Sequence, residues 1–312
     1  MSARKTNTKW MDNPYVLMGL LLVLWGSFAA ASKFALQSLD SFQVQFYMFG
    51  SALVVMTVIF VANGRMRSLL ALPPYAFRKL IVYAIPSYLY YFLYIMALQL
   101  VPAIEASMLN YMFPILIVAL SVPMQGEKLS FPIVASVIVG FAGMVVIVTG
   151  GDFSDIRLTN WKGDLLALGA AFCWALFSNW GKRNEIDSDL SNYMYTFVSF
   201  VLAAVSLVLF SDFRIPAWEA GAWVVWIGLS NIVFTYYLWF RGLKSSSSAL
   251  IASLSFLTPF FTLLFIVWLL KEPMKPAQWV GLLLIVAGIA IQMLGERWKS
   301  RKVSNLSKKA GA

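Results

Sequence analysis

Residues 103–128 read AIEASMLNYMFPILIVALSVPMQGEK, and residues 249–275 read ALIASLSFLTPFFTLLFIVWLLKEPMK. Each is apolar enough to lie in hydrocarbon, each carries a proline near its middle (Pro114, Pro259), and each closes on a carboxylate (Glu127, Glu272). The proline-to-glutamate spacing is 13 residues in both. Proline removes a backbone donor and clashes with the carbonyl four residues upstream. The pattern therefore predicts two helices broken at membrane depth, releasing carbonyls near Asn110 and Ser255. In a bilayer such breaks are tolerated only where the freed groups are buried in protein or line a cavity.

The rest of the composition agrees with a membrane setting. Of 312 residues, 60% are hydrophobic and only 12% charged, against about 25% charged in soluble domains. There is no histidine, which removes the commonest general base and metal ligand together. The single cysteine, Cys173, excludes an internal disulfide. The net charge of +10 does not point to nucleic acid, because the basic residues cluster at the ends of apolar segments and in the tail from Arg297 to Lys309.

Apolar segments recur at 15–35, 43–62, 80–100, 103–124, 131–150, 164–182, 191–210, 222–242, 248–270 and 277–295. Each is near the ~20 residues that cross about 30 Å as a helix. The first, with Ala29-Ala30-Ala31, has some likeness to a cleavable leader. The run is long for one, and cleavage would discard Trp25 and Lys33, which have counterparts further on. Placing the N-terminus in the cytoplasm puts 18 of the 24 Lys and Arg residues inside. The expectation is thus an all-α integral membrane protein of ten transmembrane helices with both termini cytoplasmic, and with disordered ends at 1–12 and 299–312.

The chain also repeats itself. Leu98, Pro114, Glu127, Gly143 and Gly150 recur 145 positions later as Leu243, Pro259, Glu272, Gly288 and Gly295. Trp25 to Lys33 matches Trp174 to Lys182, and YYFLYIMAL (Tyr90–Leu98) echoes YYLWFRGL (Tyr236–Leu243). We divide the chain into a first five-helix repeat, 1–150, and a second with a basic tail, 151–312. Five is odd, so the second repeat enters the membrane from the opposite side: an inverted-topology repeat, with a working centre at the midplane between the halves.

Two five-span halves, each with a tryptophan in its first helix and a broken fourth helix ending in Gln125–Lys128 or Leu270–Pro273, resemble the drug/metabolite transporter superfamily, EamA type, and within it the YddG-type exporters of aromatic amino acids. The likeness covers nearly the whole chain. It implies efflux through a bacterial inner membrane and a central cavity lined by the first, third, fourth, sixth, eighth and ninth helices. It also implies methyl viologen-like drugs as further candidate substrates. Pro273 departs from the small or basic residue that often follows the second glutamate, and little consequence is expected.

Read on their own chemistry, the candidate site residues fall into five groups. Trp25, Tyr90, Tyr94, Trp174, Tyr237 and Trp239 offer ring faces to an aromatic or cationic guest, the alternative being an interfacial aromatic belt. Asn110, Asn179, Ser253 and Ser255 offer hydrogen bonds to an ammonium or carboxylate, the alternative being helix-to-helix bonding. Pro114 and Pro259 break helices, with a plain packing kink as the alternative. Lys33 and Lys182 either gate the path or snorkel to the interface. Glu127 and Glu272 either pair with the adjacent Lys128 and Lys271 or hold a gate closed.

No catalytic set is visible, and no cofactor or metal is expected. No carboxylate stands mid-span, with Glu105 coming nearest, so an obligatory proton carrier is not apparent. The reading is an exporter of neutral or aromatic amino acids working by alternating access as a monomer. Its partners are a small-molecule substrate and the lipid bilayer, with no nucleic acid. Efflux of amphipathic or cationic drugs is the alternative, followed by a membrane receptor that does not transport.

Overall fold

The computed structural model describes residues 13–101, 103–155, 160–270 and 275–310, apart from some side chains within its helices, that of Lys33 among them. The first half consists of α1 (Pro14–Ala35), α2 (Ser41–Ala62), a short α3 (Met66–Leu70), α4 (Pro74–Leu100), α5 (Ala103–Asn110), α6 (Phe113–Gln125) and α7 (Phe131–Thr149). In the second half, α8 (Trp161–Lys182) and α9 (Ser188–Phe210) precede α10 (Trp218–Gly228), which passes through a π-helical turn, Leu229–Phe234, into α11 (Thr235–Ser245). Then come α12 (Ser248–Ser255), α13 (Thr258–Leu270) and α14 (Pro276–Ala310).

Local chemistry sets many of these boundaries. Asn13 caps Tyr15 ahead of Pro14, Asp40 and Gln43 form a reciprocal capping box, and Asp187 caps Asp189 and Leu190. Gly126 and Gly150 end their helices in the left-handed region, at φ 70° and 61°. The expected disorder at 299–312 is not what the backbone shows: α14 stays helical to Ala310. Lysines and arginines are good helix formers and sit favourably near a helix C-terminus.

Joining α5 to α6, α10 to α11 and α12 to α13, and setting aside the five-residue α3, gives ten rods among the described residues. Seven are long and apolar enough to cross a membrane by composition, and shorter apolar helices lie at Pro14–Phe28 and Ser248–Thr262. The remaining rod, α8, is diluted by Asp164, Asn179 and Lys182 because it runs through the middle of the bundle. Outward-facing positions such as Val54, Ile138, Val208 and Leu283 are apolar, as a hydrocarbon solvent requires.

The two broken helices match residue for residue. α5 and α12 are both 8 residues long, α6 and α13 both 13, and Pro114 and Pro259 are each the second residue of the later piece. There the missing N–H is one of the helix's orphan donors anyway. The earlier pieces end at Asn110 and Ser255, where the prolines were expected to free carbonyls. The Ser255 carbonyl is taken up by the Thr258 hydroxyl at 2.6 Å.

The inversion is visible in α7 and α14. A Cβ on Gly143 would lie 2.6 Å from the Gly281 carbonyl oxygen, one on Gly288 2.8 Å from that of Ser136, and one on Gly295 2.4 Å from Pro132 Cβ. Residue numbers rise along one helix as they fall along the other, so these equivalent helices are antiparallel. Their glycines let backbones touch, as small residues do in membranes. The halves also interlock. α1 packs on α11 and α13 of the other half, and α8 packs on α4 and α6, the equivalent exchange. Space between the halves is therefore bounded by both first helices and by the third and fourth rods of each repeat.

Candidate functional site

At the centre of that seam stand three tryptophans, one from each of α1, α8 and α11. Their ring centroids are 5.9 Å apart for Trp25–Trp174, 5.2 Å for Trp25–Trp239 and 5.7 Å for Trp174–Trp239. Such offset and edge-on contacts are the favoured geometry of aromatic rings. Two of the three indole N–H groups are spoken for. Trp25 Nε1 donates to Thr235 Oγ1 at 3.1 Å, and Trp239 Nε1 to Ser178 Oγ at 3.0 Å. Trp174 Nε1 is buried and finds no acceptor among the described residues.

Thr235 is held in turn by the π-helical turn. Its hydroxyl donates to the Ser230 carbonyl at 2.8 Å, and the neighbouring Asn231 carbonyl accepts from Tyr91 OH at 3.0 Å. π-turns inside α-helices release carbonyls in this way and frequently mark functional sites. Asn231 lies 145 positions after Pro86, which stands inside α4. The π-turn of one third rod thus falls at the position matching the proline of the other, although α4 runs through Pro86 as a continuous helix.

On one side of the tryptophans is a cavity of about 120 Å³. Trp25 and Phe28 of α1, Tyr90, Tyr91 and Tyr94 of α4, and Trp174 of α8 form its aromatic wall. Asn110, Tyr111 and Phe113 at the first helix break, Asn231, and Thr258 with Thr262 at the second complete it. These come from the first, third, fourth, sixth, eighth and ninth rods, the set expected. Asn110 is 4% exposed and hydrogen-bonds Tyr90 through its side chain, while its Oδ1 has no partner among the described residues. Among the described residues that line the cavity, Trp174 thus carries a buried unpaired donor and Asn110 a buried unpaired acceptor. Buried groups left unsatisfied in this way cost about 1–3 kcal/mol each, so each calls for an explanation.

On the other side the bundle is plugged toward the end that carries the start of α1. Phe177 packs edge-on against Tyr195, Tyr236 and Phe240 at centroid distances of 5.1, 5.4 and 5.0 Å. Beyond them, Lys182 Nζ donates to Glu127 Oε1 at 2.7 Å and to the Ser246 carbonyl at 3.0 Å. Glu127 Oε1 also accepts from the N–H and hydroxyl of Ser248, at 3.1 and 2.9 Å. This cluster ties α6, α8 and α12 together. Burial works against the charge on Glu127, but the hydrogen bond from Lys182 and then that from the Ser248 N–H outweigh it. They hold the carboxyl below its ordinary value.

The expected site residues divide accordingly. Trp25, Tyr90, Tyr94, Asn110 and Trp174 line the cavity. Trp239 is fully buried beneath it as the third ring of the tryptophan cluster. Asn179 bonds the carbonyls of Ile117 and Ala175, at 3.2 and 2.9 Å, and so joins α8 to α6. Ser253 donates to Gln292 at 2.6 Å between α12 and α14, and Ser255 to the Ala252 carbonyl of its own helix at 2.7 Å. Tyr237 points away from the centre into a groove on the side of the bundle. For these four, helix-to-helix bonding or rotation of the helix face decided the outcome.

Lys182 does reach Glu127, which corrects the expected pairing of Glu127 with its neighbour Lys128. Glu127 stands two residues beyond the end of α6, where Lys182, at the end of the facing α8, comes within 2.7 Å of it. The Lys33 side chain and Glu272 lie outside the described residues. Glu105, expected near the end of its helix, is 5% exposed and hydrogen-bonds the equally buried Asp164 of α8. Phe28, Tyr111, Phe113 and Thr262 went unread in the sequence. Thr262 stands four residues after Thr258, on the same helix face, while the three aromatic rings carried no local mark among so many.

Two inverted, interlocked repeats of membrane-spanning helices around a midplane cavity define a repeat-built membrane transporter. The family model for EamA-like transporters matches residues 13–149 and again 161–294, and the chain belongs to that family. Among curated relatives, an uncharacterized transporter of Archaeoglobus fulgidus is 27% identical over 88% of this chain and 95% of its own length. An aromatic amino acid exporter, YddG, of Ancylobacter novellus is 30% identical over 66% of this chain and 72% of its own. A solved crystal structure is similar with a TM-score of 0.80 and 25% identity, covering 91% of this chain and 98% of that one.

Proposed function

We propose that this protein exports neutral amino acids, aromatic ones above all, by alternating access through the cavity between its repeats. The observation that carries the reading is the pair of unmatched polar groups in an aromatic chamber. Trp174 Nε1 can donate to a carboxylate, Asn110 Oδ1 can accept from an ammonium, and the rings of Tyr90, Tyr94, Trp25 and Phe28 can stack on an apolar side chain. The names of two relatives, aromatic amino acid exporters of Ancylobacter novellus and Salmonella typhimurium, support the same substrate class.

With the charge-rich face in the cytoplasm, the Glu127–Lys182 cluster is the cytoplasmic gate and the cavity lies on the external side of the tryptophans. At about 120 Å³ the cavity is smaller than the ~300 Å³ and upward of ordinary ligand pockets. The conformation is therefore contracted, and the rods must separate to take a whole amino acid. We place the protein in a bacterial inner membrane, working as a monomer and driven by the solute gradient. A second reading, efflux of flat aromatic cations, is favoured by one feature, the tyrosine-rich wall with no lysine or arginine among the described residues that line it.

The test is exchange into liposomes holding the purified protein and preloaded with unlabelled amino acid. Labelled tryptophan and phenylalanine should enter faster than into empty liposomes, a polar control should not, and Asn110→Ala should slow the exchange. Silence for amino acids with flux of methyl viologen would transfer the assignment to cations.

A further inference from the structure

A second concavity, larger than the central one, runs along the outside of the bundle. It encloses about 900 Å³ between α1, α2, α9 and the rod formed by α10 and α11, within the ~300–1,000 Å³ of built ligand sites. Its length is apolar: Leu20 and Val23 of α1, Ile59 of α2 and Phe234 of the π-turn line it, each at least 44% exposed. Its end is not. There Asn63 and Arg65 follow the close of α2, and Asp189 and Asn192 stand in the first turns of α9. On helices that span a bilayer, such a groove opens to hydrocarbon along its length and to head groups at its polar end.

We propose that this groove is a phospholipid site specific for a head group that combines a phosphate with a primary ammonium, as in phosphatidylethanolamine. The inference is independent of the transport reading.

Three observations select the head group. First, Asn192 is 4% exposed and lines the groove, yet its Oδ1 has no hydrogen-bond partner among the described residues. An unpaired buried acceptor calls for a donor. An ammonium offers three charge-assisted N–H donors, a glycerol weaker neutral O–H donors, and a choline none.

Second, the charges at that end balance. Arg65 bonds Asp187 at 2.6 Å and also bonds Asp189, while Lys244 donates to Ser188 Oγ at 2.9 Å beside them. Of these, Arg65 and Asp189 line the groove itself, one charge of each sign, which complements a zwitterion. Third, the apolar and polar parts are arranged end to end along the membrane normal. Acyl chains would lie against Leu20 and Phe234 toward the midplane, and the head at Arg65 and Asn192 near the helix ends.

The test is titration of the delipidated protein, in detergent, with palmitoyl-oleoyl phosphatidylethanolamine, phosphatidylcholine and phosphatidylglycerol, reading bound lipid by native mass spectrometry. The ethanolamine lipid should be retained about tenfold more tightly than either of the others, the effect of one well-made hydrogen bond in a buried place. Asn192→Leu, which keeps the volume and removes the acceptor, should abolish that preference. Val23→Trp, which fills the groove without touching the head-group end, should remove tight binding of all three. Equal binding of the three lipids by the unaltered protein would overturn the proposal, as would a preference that survives Asn192→Leu. Thermal melting of each variant separates loss of the site from loss of the fold.

Discussion

Glu127 closes the first repeat's broken helix, Lys182 closes the second repeat's first helix, and their side chains meet at 2.7 Å across the seam between the halves. Both are mostly buried, at 22% and 16% side-chain exposure. Each repeat thus contributes one charge to the contact that shuts one end of the central path.

Neutralising that contact should loosen the closed end. Glu127→Gln should lower stability at pH 7 by about 1.5–3 kcal/mol, the range for hydrogen bonds to charged groups. The sign with pH follows from the depressed carboxyl. Its stabilisation is fully present above the glutamate's unfolded value of about 4.3 and is lost as pH falls through the lower folded value. Melting curves of the two proteins should therefore differ at pH 7 and converge in acid. A gap that stays constant with pH would mean that Glu127 acts through packing alone.

The unpaired groups of the cavity predict a specific pattern of affinity. Trp174→Phe keeps a ring and removes the donor, and Asn110→Leu keeps the volume and removes the acceptor. Each should weaken binding of a zwitterionic amino acid about tenfold, roughly 1.4 kcal/mol. The amide of tryptophan, which lacks the carboxylate, should be indifferent to Trp174→Phe. Calorimetry in detergent reads both, and an unchanged affinity in Trp174→Phe would remove the indole N–H from substrate recognition.

The glycine seam should be intolerant in a way that other glycines are not. The Gly143→Ala methyl would meet the Gly281 backbone at 2.6 Å, whereas around Gly19 nothing lies within 4 Å. Overpacking of this kind costs about 1–3 kcal/mol. Thermal melting should place Gly143→Ala well below the unaltered protein and Gly19→Ala level with it. Equal melting temperatures would mean that α7 and α14 separate easily.

Coupling to protons is the sharpest test of energetics. The facilitator reading predicts that amino acid equilibrates across liposomes and is not concentrated when a pH gradient is imposed. The place to look if it is concentrated is the Glu105–Asp164 pair, two buried carboxyl groups in hydrogen-bond contact in the first turns of α5 and α8. Glu105→Gln should leave downhill exchange intact. A steady-state gradient that tracks pH and collapses in Glu105→Gln would replace facilitation by antiport.

The sequence by itself determined the helical rods, their division into two halves and the two breaks. Each of these rests on local or periodic information: apolar length, a proline's missing donor, a glycine's freedom, and matches at one offset. Five of the ten residues expected to meet substrate line the cavity, among them Trp25, Trp174 and Asn110, unusual residues at marked places in the repeat. Only the tertiary structure decided which face of each helix meets the cavity. Tyr236 and Tyr237 are neighbours, yet one is sealed in the core and the other lines the outer groove. Asn110 and Asn179 are alike in sequence terms, yet one keeps an open acceptor in the cavity and the other ties α8 to α6. Helix rotation settles such choices. It is set by the packing of α1 and α8 against the opposite repeat, a relation between residues far apart in the chain that no local pattern encodes.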